Sequence, residues 1–106
     1  MRVLFDQGPP VPLRRFLPAH EVVTLHERGW STLRNGQLLD TAENEAFDVL
    51  VTTDSKLQYQ QDLKSRRIAV VVIRTTSWPR IRLAVDAVVS AVDAATAGSY
   101  VEVDIP

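Results

Sequence analysis

The chain has no cysteine, only two histidines, four glycines and one methionine in 106 residues. Without thiols there is no disulfide scaffold, no thiolate zinc site and no cysteine nucleophile. His20 and His26 are too few for a histidine-rich metal site. Long hydrophobic runs are missing as well: the longest uninterrupted one extends only from Ile68 to Ile73, far short of the roughly 20 residues that span a bilayer. The opening Met1-Arg2-Val3-Leu4-Phe5-Asp6 lacks the apolar stretch of a signal peptide. The expectation is a cytoplasmic protein with no membrane association. Charge of one sign is also lacking, since 12 Lys and Arg face 13 Asp and Glu for a net charge of -1. Binding of polyanions through overall charge is thereby disfavoured, and a local basic patch stays open.

What the chain does have is 45% apolar residues, enough for one core in a chain that buries roughly two-thirds of its unfolded surface. A single domain over 1–106 is expected, because no repeat, low-complexity tract or charge block divides it. Four Val-, Ile- and Leu-rich runs read as buried strands: Arg2 to Phe5, Val22 to Leu25, Val49 to Thr52 and Ile68 to Ile73. Runs that do not alternate suit a parallel sheet covered on both faces. Tyr100 to Ile105 does alternate and belongs at an edge.

Helical spacing fills the gaps. Pro9 to Leu17 has its prolines at the start and Pro18 as a stop. Asn35 is placed to cap a second helix carrying Leu38, Leu39, Ala42, Ala46 and Phe47. Ser55 to Leu63 is a mostly polar third helix. The longest is expected from about Pro79 to Ala97, with Ile81, Val85, Val88, Val92 and Ala95 as its stripe and Gly98 as its end. The alternation predicts an α/β fold with right-handed crossovers. The common order for five parallel strands is 2-1-3-4-5, with the ligand crevice at the switch between the first and third strands.

Asp6 ends the first strand, and Asp54 follows the third in Val49-Leu50-Val51-Thr52-Thr53-Asp54. In that order the two carboxylates sit side by side, where they could share Mg²⁺ or Mn²⁺, hard ions common on phosphate substrates. Taken singly, each is equally a turn or cap residue. Asp40, Glu43 and Glu45 are candidate third acids, with Asp40 and Glu43 more simply read as a solvated helix face. Asn35 could ligate or cap. Arg14, Arg15, Lys56, Lys64 and Arg74 are candidate substrate contacts, Arg74 foremost because it ends a buried strand. Lys64-Ser65-Arg66-Arg67 reads as a solvated loop at the far end. Trp30 and Trp78 read as packing residues beside loops, and Gln58, Gln60 and Gln61, interleaved with Tyr59, as a polar helix face.

The order and spacing of Asp6, Gly8-Pro9-Pro10, His20-Glu21-Val22-Val23, Leu38-Leu39-x-x-Ala42 and Val49-Leu50-Val51-Thr52-Thr53-Asp54 resemble the small PIN-like proteins, a poorly characterised branch of the PIN domain superfamily. The resemblance covers most of the first 75 residues. It implies a Rossmann-like three-layer α/β/α sandwich with a mostly parallel five-stranded sheet. It also implies a Mg²⁺- or Mn²⁺-dependent ribonuclease acting by phosphodiester hydrolysis, as in the toxins of bacterial toxin–antitoxin pairs, with RNA as substrate and an antitoxin protein as partner. Asp6 and Asp54 are carried over as metal ligands. The chain departs from the family at Asn35-Gly36, where an acid is common, at Gln7-Gly8 in place of Glu-Asn, and at Lys56-Leu57 in place of Asp-Phe. Such departures are what a degenerate, non-cleaving RNA- or protein-binding module would carry. A phosphoacceptor receiver, with Asp54 as acceptor and Thr75 or Thr76 as switch, ranks lower because Asp6 stands alone and no lysine closes the fifth strand. The apolar Val101 and Val103 permit sheet extension or a homodimer.

Overall fold

Residues that are apolar on both sides of a strand have to be buried on both faces, and the central strands obey this without exception. In the computed structural model, which describes residues 1–56 and 62–106, β1 (Arg2–Phe5), β2 (Glu21–Thr24), β3 (Val49–Thr52), β4 (Ala69–Ile73) and β5 (Tyr100–Val103) form one sheet in the order β2-β1-β3-β4-β5. All four pairings are parallel. Every residue of β3 and β4 is buried, whereas β2 and β5, at the two edges, are only partly so. The α/β class, the strand order and the edge position of the alternating segment match the expectation.

Successive strand residues point to opposite faces, which divides the core in two. Val3, Phe5, Val49, Val51, Val71 and Ile73 pack with Leu13, Leu17, Ile81, Val88 and Val92. On the other face Leu4, Leu50, Val70 and Val72 pack with Leu38, Leu39, Ala42 and Phe47.

The first helix is not an α-helix. Val11–Phe16 forms a 3-10 helix, closed by short bonds such as Leu13 N–H to the Pro10 carbonyl at 3.1 Å. With Pro9, Pro10, Pro12 and Pro18 in or around it, too few N–H groups remain for an α-helical ladder. The second, α1, spans Asn35–Asn44, but Asn35 does not cap it: the cap position falls on Arg34, which is extended (φ −138°, ψ 151°) and makes no side-chain cap bond. Asn35 itself has φ +46°, a left-handed conformation that asparagine tolerates but that differs from the extended backbone of a cap residue. At its other end α1 closes with Phe47 N–H to the Ala42 carbonyl at 2.9 Å and Ala46 N–H to that of Glu43 at 3.0 Å. That Schellman pattern puts Ala46 at φ +63°, where glycine is usual.

The expected long helix is two: α2 (Trp78–Leu83) and α3 (Val85–Asp93), interrupted at Ala84 (φ −124°, ψ 26°). Ser77 caps α2, its side chain accepting from Arg80 N–H. Ile81, Val88 and Val92 stay buried across the break, so the apolar stripe survives it. Gly98 turns the chain into β5 at φ +75°, with the Arg66 and Lys64 carbonyls 3.1 Å from where a Cβ would stand. The third expected helix, Ser55 to Leu63, falls mostly on residues 57–61, outside the described residues, as do Gln58, Tyr59, Gln60 and Gln61. Among the described residues no helix is long and apolar enough to cross a membrane.

Candidate functional site at the strand switch

The parallel register pairs Phe5 with Val51, and Asp6 N–H continues the ladder to the Val51 carbonyl at 2.9 Å. Asp6 is thereby brought level with Thr52, whose side chain is buried at the end of β3. The Thr52 hydroxyl donates to Asp6 Oδ2 at 3.0 Å and accepts from Asp54 N–H at 3.1 Å. One buried hydroxyl thus ties both acidic segments together. Asp6 Oδ1 accepts from Gln7 N–H at 2.8 Å, and Asp54 Oδ1 from Lys56 N–H at 2.9 Å. Among the described residues neither carboxylate has an ion-pair partner.

Asp6 and Asp54 share a small cavity of about 40 Å³ with Thr52, Asn35 and Arg34, floored by Leu38 and Leu50. Arg34 Nη1 donates to the Ser31 and Leu33 carbonyls. The turn after Asp6 is pressed against this site: a Cβ on Gly8 would stand 1.9 Å from Thr53 Oγ1 and 2.9 Å from its Cβ. Only glycine lets the two strand-end loops approach so closely. On the other side of Asp6 opens a groove of about 450 Å³, bounded by Gln7, Arg14, His26, Glu27 and Ser31, within the size range of small-ligand sites. Arg14 is spent on Glu27 across it, at 3.1 Å. The Glu27 carboxyl is held below its ordinary value by the Thr24 backbone N–H and then by Arg14.

The remaining candidates are scattered. Glu43 lies at the opposite end of the sheet, against Asp48 and Arg67. It accepts from Arg66 Nη1 at 2.7 Å and from Arg67 N–H at 2.8 Å, and Asp40 accepts from the same guanidinium at 2.8 Å. The Glu43 and Arg66 side chains are only 13% and 17% exposed, so neither is a merely solvated surface charge. Burial works against ionisation of Glu43, but the Arg67 N–H and Arg66 outweigh it and lower its pKa. Burial likewise opposes the Arg66 charge, and Asp40 and Glu43 override it. Arg74 does follow β4 directly at the rim, yet it pairs with Glu102 and Asp104 at 2.9 and 3.2 Å. Arg15 lines another pocket with Phe16 and Trp78, and Lys56 is exposed beside Asp54.

Sequence reasoning missed Thr52, Gly8 and Arg34 as parts of the site. Thr52 was within reach, since in the order β1-β3 the residue level with Asp6 has to be Thr52. Arg34 carries no such signal. Among the described residues no three His, Asp or Glu side chains converge on one point. Two carboxylates with an amide and a hydroxyl are nevertheless an all-oxygen donor set, and Mg²⁺ commonly takes one or two carboxylates while keeping its waters. That chemistry fits a hard divalent ion. No family model, curated protein or solved structure matches the chain.

Proposed function

We propose that the rim between β1 and β3 is the site of a Mg²⁺- or Mn²⁺-dependent ribonuclease of the PIN-like kind. The observation that carries this reading is the pair Asp6 and Asp54, joined through the Thr52 hydroxyl in one cavity and left without an ion-pair partner among the described residues. Asp6 and Asp54, with the Asn35 amide, would hold the ion, whose chemistry is Lewis-acid activation of a phosphodiester. The chain's own side-chain and backbone groups have distinct tasks. Thr52 fixes the Asp6 carboxylate, the Gln7 and Lys56 N–H groups orient one oxygen of each acid, and Arg34 is the cation in the cavity wall that can meet a phosphate. The neighbouring groove gives the adjoining nucleotide room.

A second reading, an RNA- or protein-binding module that does not cleave, is favoured by the lack of a third convergent acid among the described residues, because fewer carboxylates hold an ion less tightly. Incubation with a panel of single-stranded RNAs in Mn²⁺ separates the two. The ribonuclease reading expects cleavage by the wild type and none by Asp6→Asn or Asp54→Asn. Equal cleavage by the variants removes the site, and bound but intact RNA with the wild type selects the module.

A further inference from the structure

We propose that the pocket between the 3-10 helix and α2 is a stacking site for a base of a single-stranded polynucleotide, with Arg15 and Arg82 holding the phosphates beside it. The pocket, about 280 Å³, is lined by Pro12, Arg15, Phe16, Trp78 and Arg82. Phe16 and Trp78 stand with centroids 5.9 Å apart and planes at 50°, and the Phe16 side chain is more than a third exposed. Trp78 rests on the core cluster beneath, which holds its ring in place. Among the described residues no carboxylate lines the pocket. Arg2, Arg14, Arg28, Arg66 and Arg74 each pair with an acid, whereas among the described residues Arg15 and Arg82 pair with none. Exposed aromatic rings flanked by unneutralised arginines meet the two needs of a single strand: faces for bases and cations for phosphates.

The pocket's position links it to the rim. Three residues per turn bring i and i+3 onto one edge of a 3-10 helix. Val11 and Arg14 accordingly line the groove beside Asp6, and Pro12 and Arg15 line the aromatic pocket. A strand lying in the groove has only this short helix to cross to reach Trp78. The choice of ligand rests on the ribonuclease reading, but the site shares no residue with the acid pair, so the two stand or fall separately.

The test uses labelled oligouridylate and oligothymidylate at low salt, followed by anisotropy with the wild type and by Trp78 emission in a Trp30→Phe background. Binding with quenched Trp78 emission is expected. The double variant Arg15→Gln, Arg82→Gln, at two exposed positions, should weaken it by about tenfold and flatten the slope of log K against log salt by about 1.4, the loss of two single-strand phosphate contacts. The Arg67→Gln variant, which removes an exposed arginine at the opposite end of the sheet, should bind as the wild type does. Unchanged affinity in the double variant, unmoved Trp78 emission, equal quenching by base-free heparin, or an equal loss of binding in Arg67→Gln each overturns the proposal. Failure of the ribonuclease reading shows only in the cleavage assay.

Discussion

Two acidic pairs lie at opposite ends of the sheet, Asp40 and Glu43 on α1 and Asp6 and Asp54 after β1 and β3, and they meet opposite fates. At the end near β4's start, Glu43 and Asp40 share the Arg66 guanidinium, and the Arg67 N–H completes the contact. At the rim, the Asp6 and Asp54 carboxylates face one cavity and, among the described residues, accept hydrogen bonds only from the Thr52 hydroxyl and the N–H groups of Gln7 and Lys56. The first cluster spends its charge on folding. The second leaves its charge without an ion-pair partner among the described residues, which is what the proposed ligand site needs and a structural ion pair lacks. The contrast also shows why counting acids along a helix misleads: what matters is which end of the sheet each acid reaches.

The largest effect that would sharpen this contrast lies in the paired cluster. Glu43→Ala leaves a largely buried Arg66 short of a partner and should destabilise the protein by about 2 kcal/mol at neutral pH, measured by urea unfolding. Because the folded-state pKa of Glu43 is lowered from 4.5, its contribution is complete above that value. It disappears as pH falls through the lower folded-state value. The gap between wild type and variant should therefore close in acid, and a gap that widened there would break the assignment of Glu43 to a structural role.

Gly8→Ala comes next, acting at the rim. A methyl group 1.9 Å from Thr53 Oγ1 has to push the two loops apart, at about 1–3 kcal/mol, and it should weaken Mn²⁺ binding more than it lowers the melting temperature would suggest. Unaltered Mn²⁺ binding would mean that the close approach of the loops does not set the cavity. The smallest effect is a gain. Ala46→Gly, at φ +63°, should stabilise by about 1 kcal/mol, read as a rise in melting temperature with no change at the rim.

Much of the frame was legible in the residues. Non-alternating runs marked the inner strands, the alternating run from Tyr100 to Ile105 marked an edge, and the strand order put Asp6 beside the end of β3. Glu43 was misplaced although the same topology contains the answer. Helix α1 starts after β2 at the rim and returns to the start of β3, so residues 35 and 43 lie about 12 Å apart along its axis and only the first can reach the acid pair. Other features had no sequence signature. The run Leu83-Ala84-Val85 holds neither proline nor glycine, yet the helix breaks there. Arg66 looks like any loop arginine until β4 and α1 are packed together. The prolines around Val11–Phe16, by contrast, carry a signature of their own, since they mark a helix start and also remove the N–H donors of an α-helical ladder.

The most direct test of the contrast is thermal unfolding during Mn²⁺ titration of the wild type and Asp54→Asn. A rim that keeps its charge for an ion predicts a rise for the wild type that grows with the logarithm of free Mn²⁺ and reaches about 2.7 kcal/mol at a hundredfold excess over Kd, and no rise for the variant. Equal rises in both proteins, or none in the wild type, would contradict it.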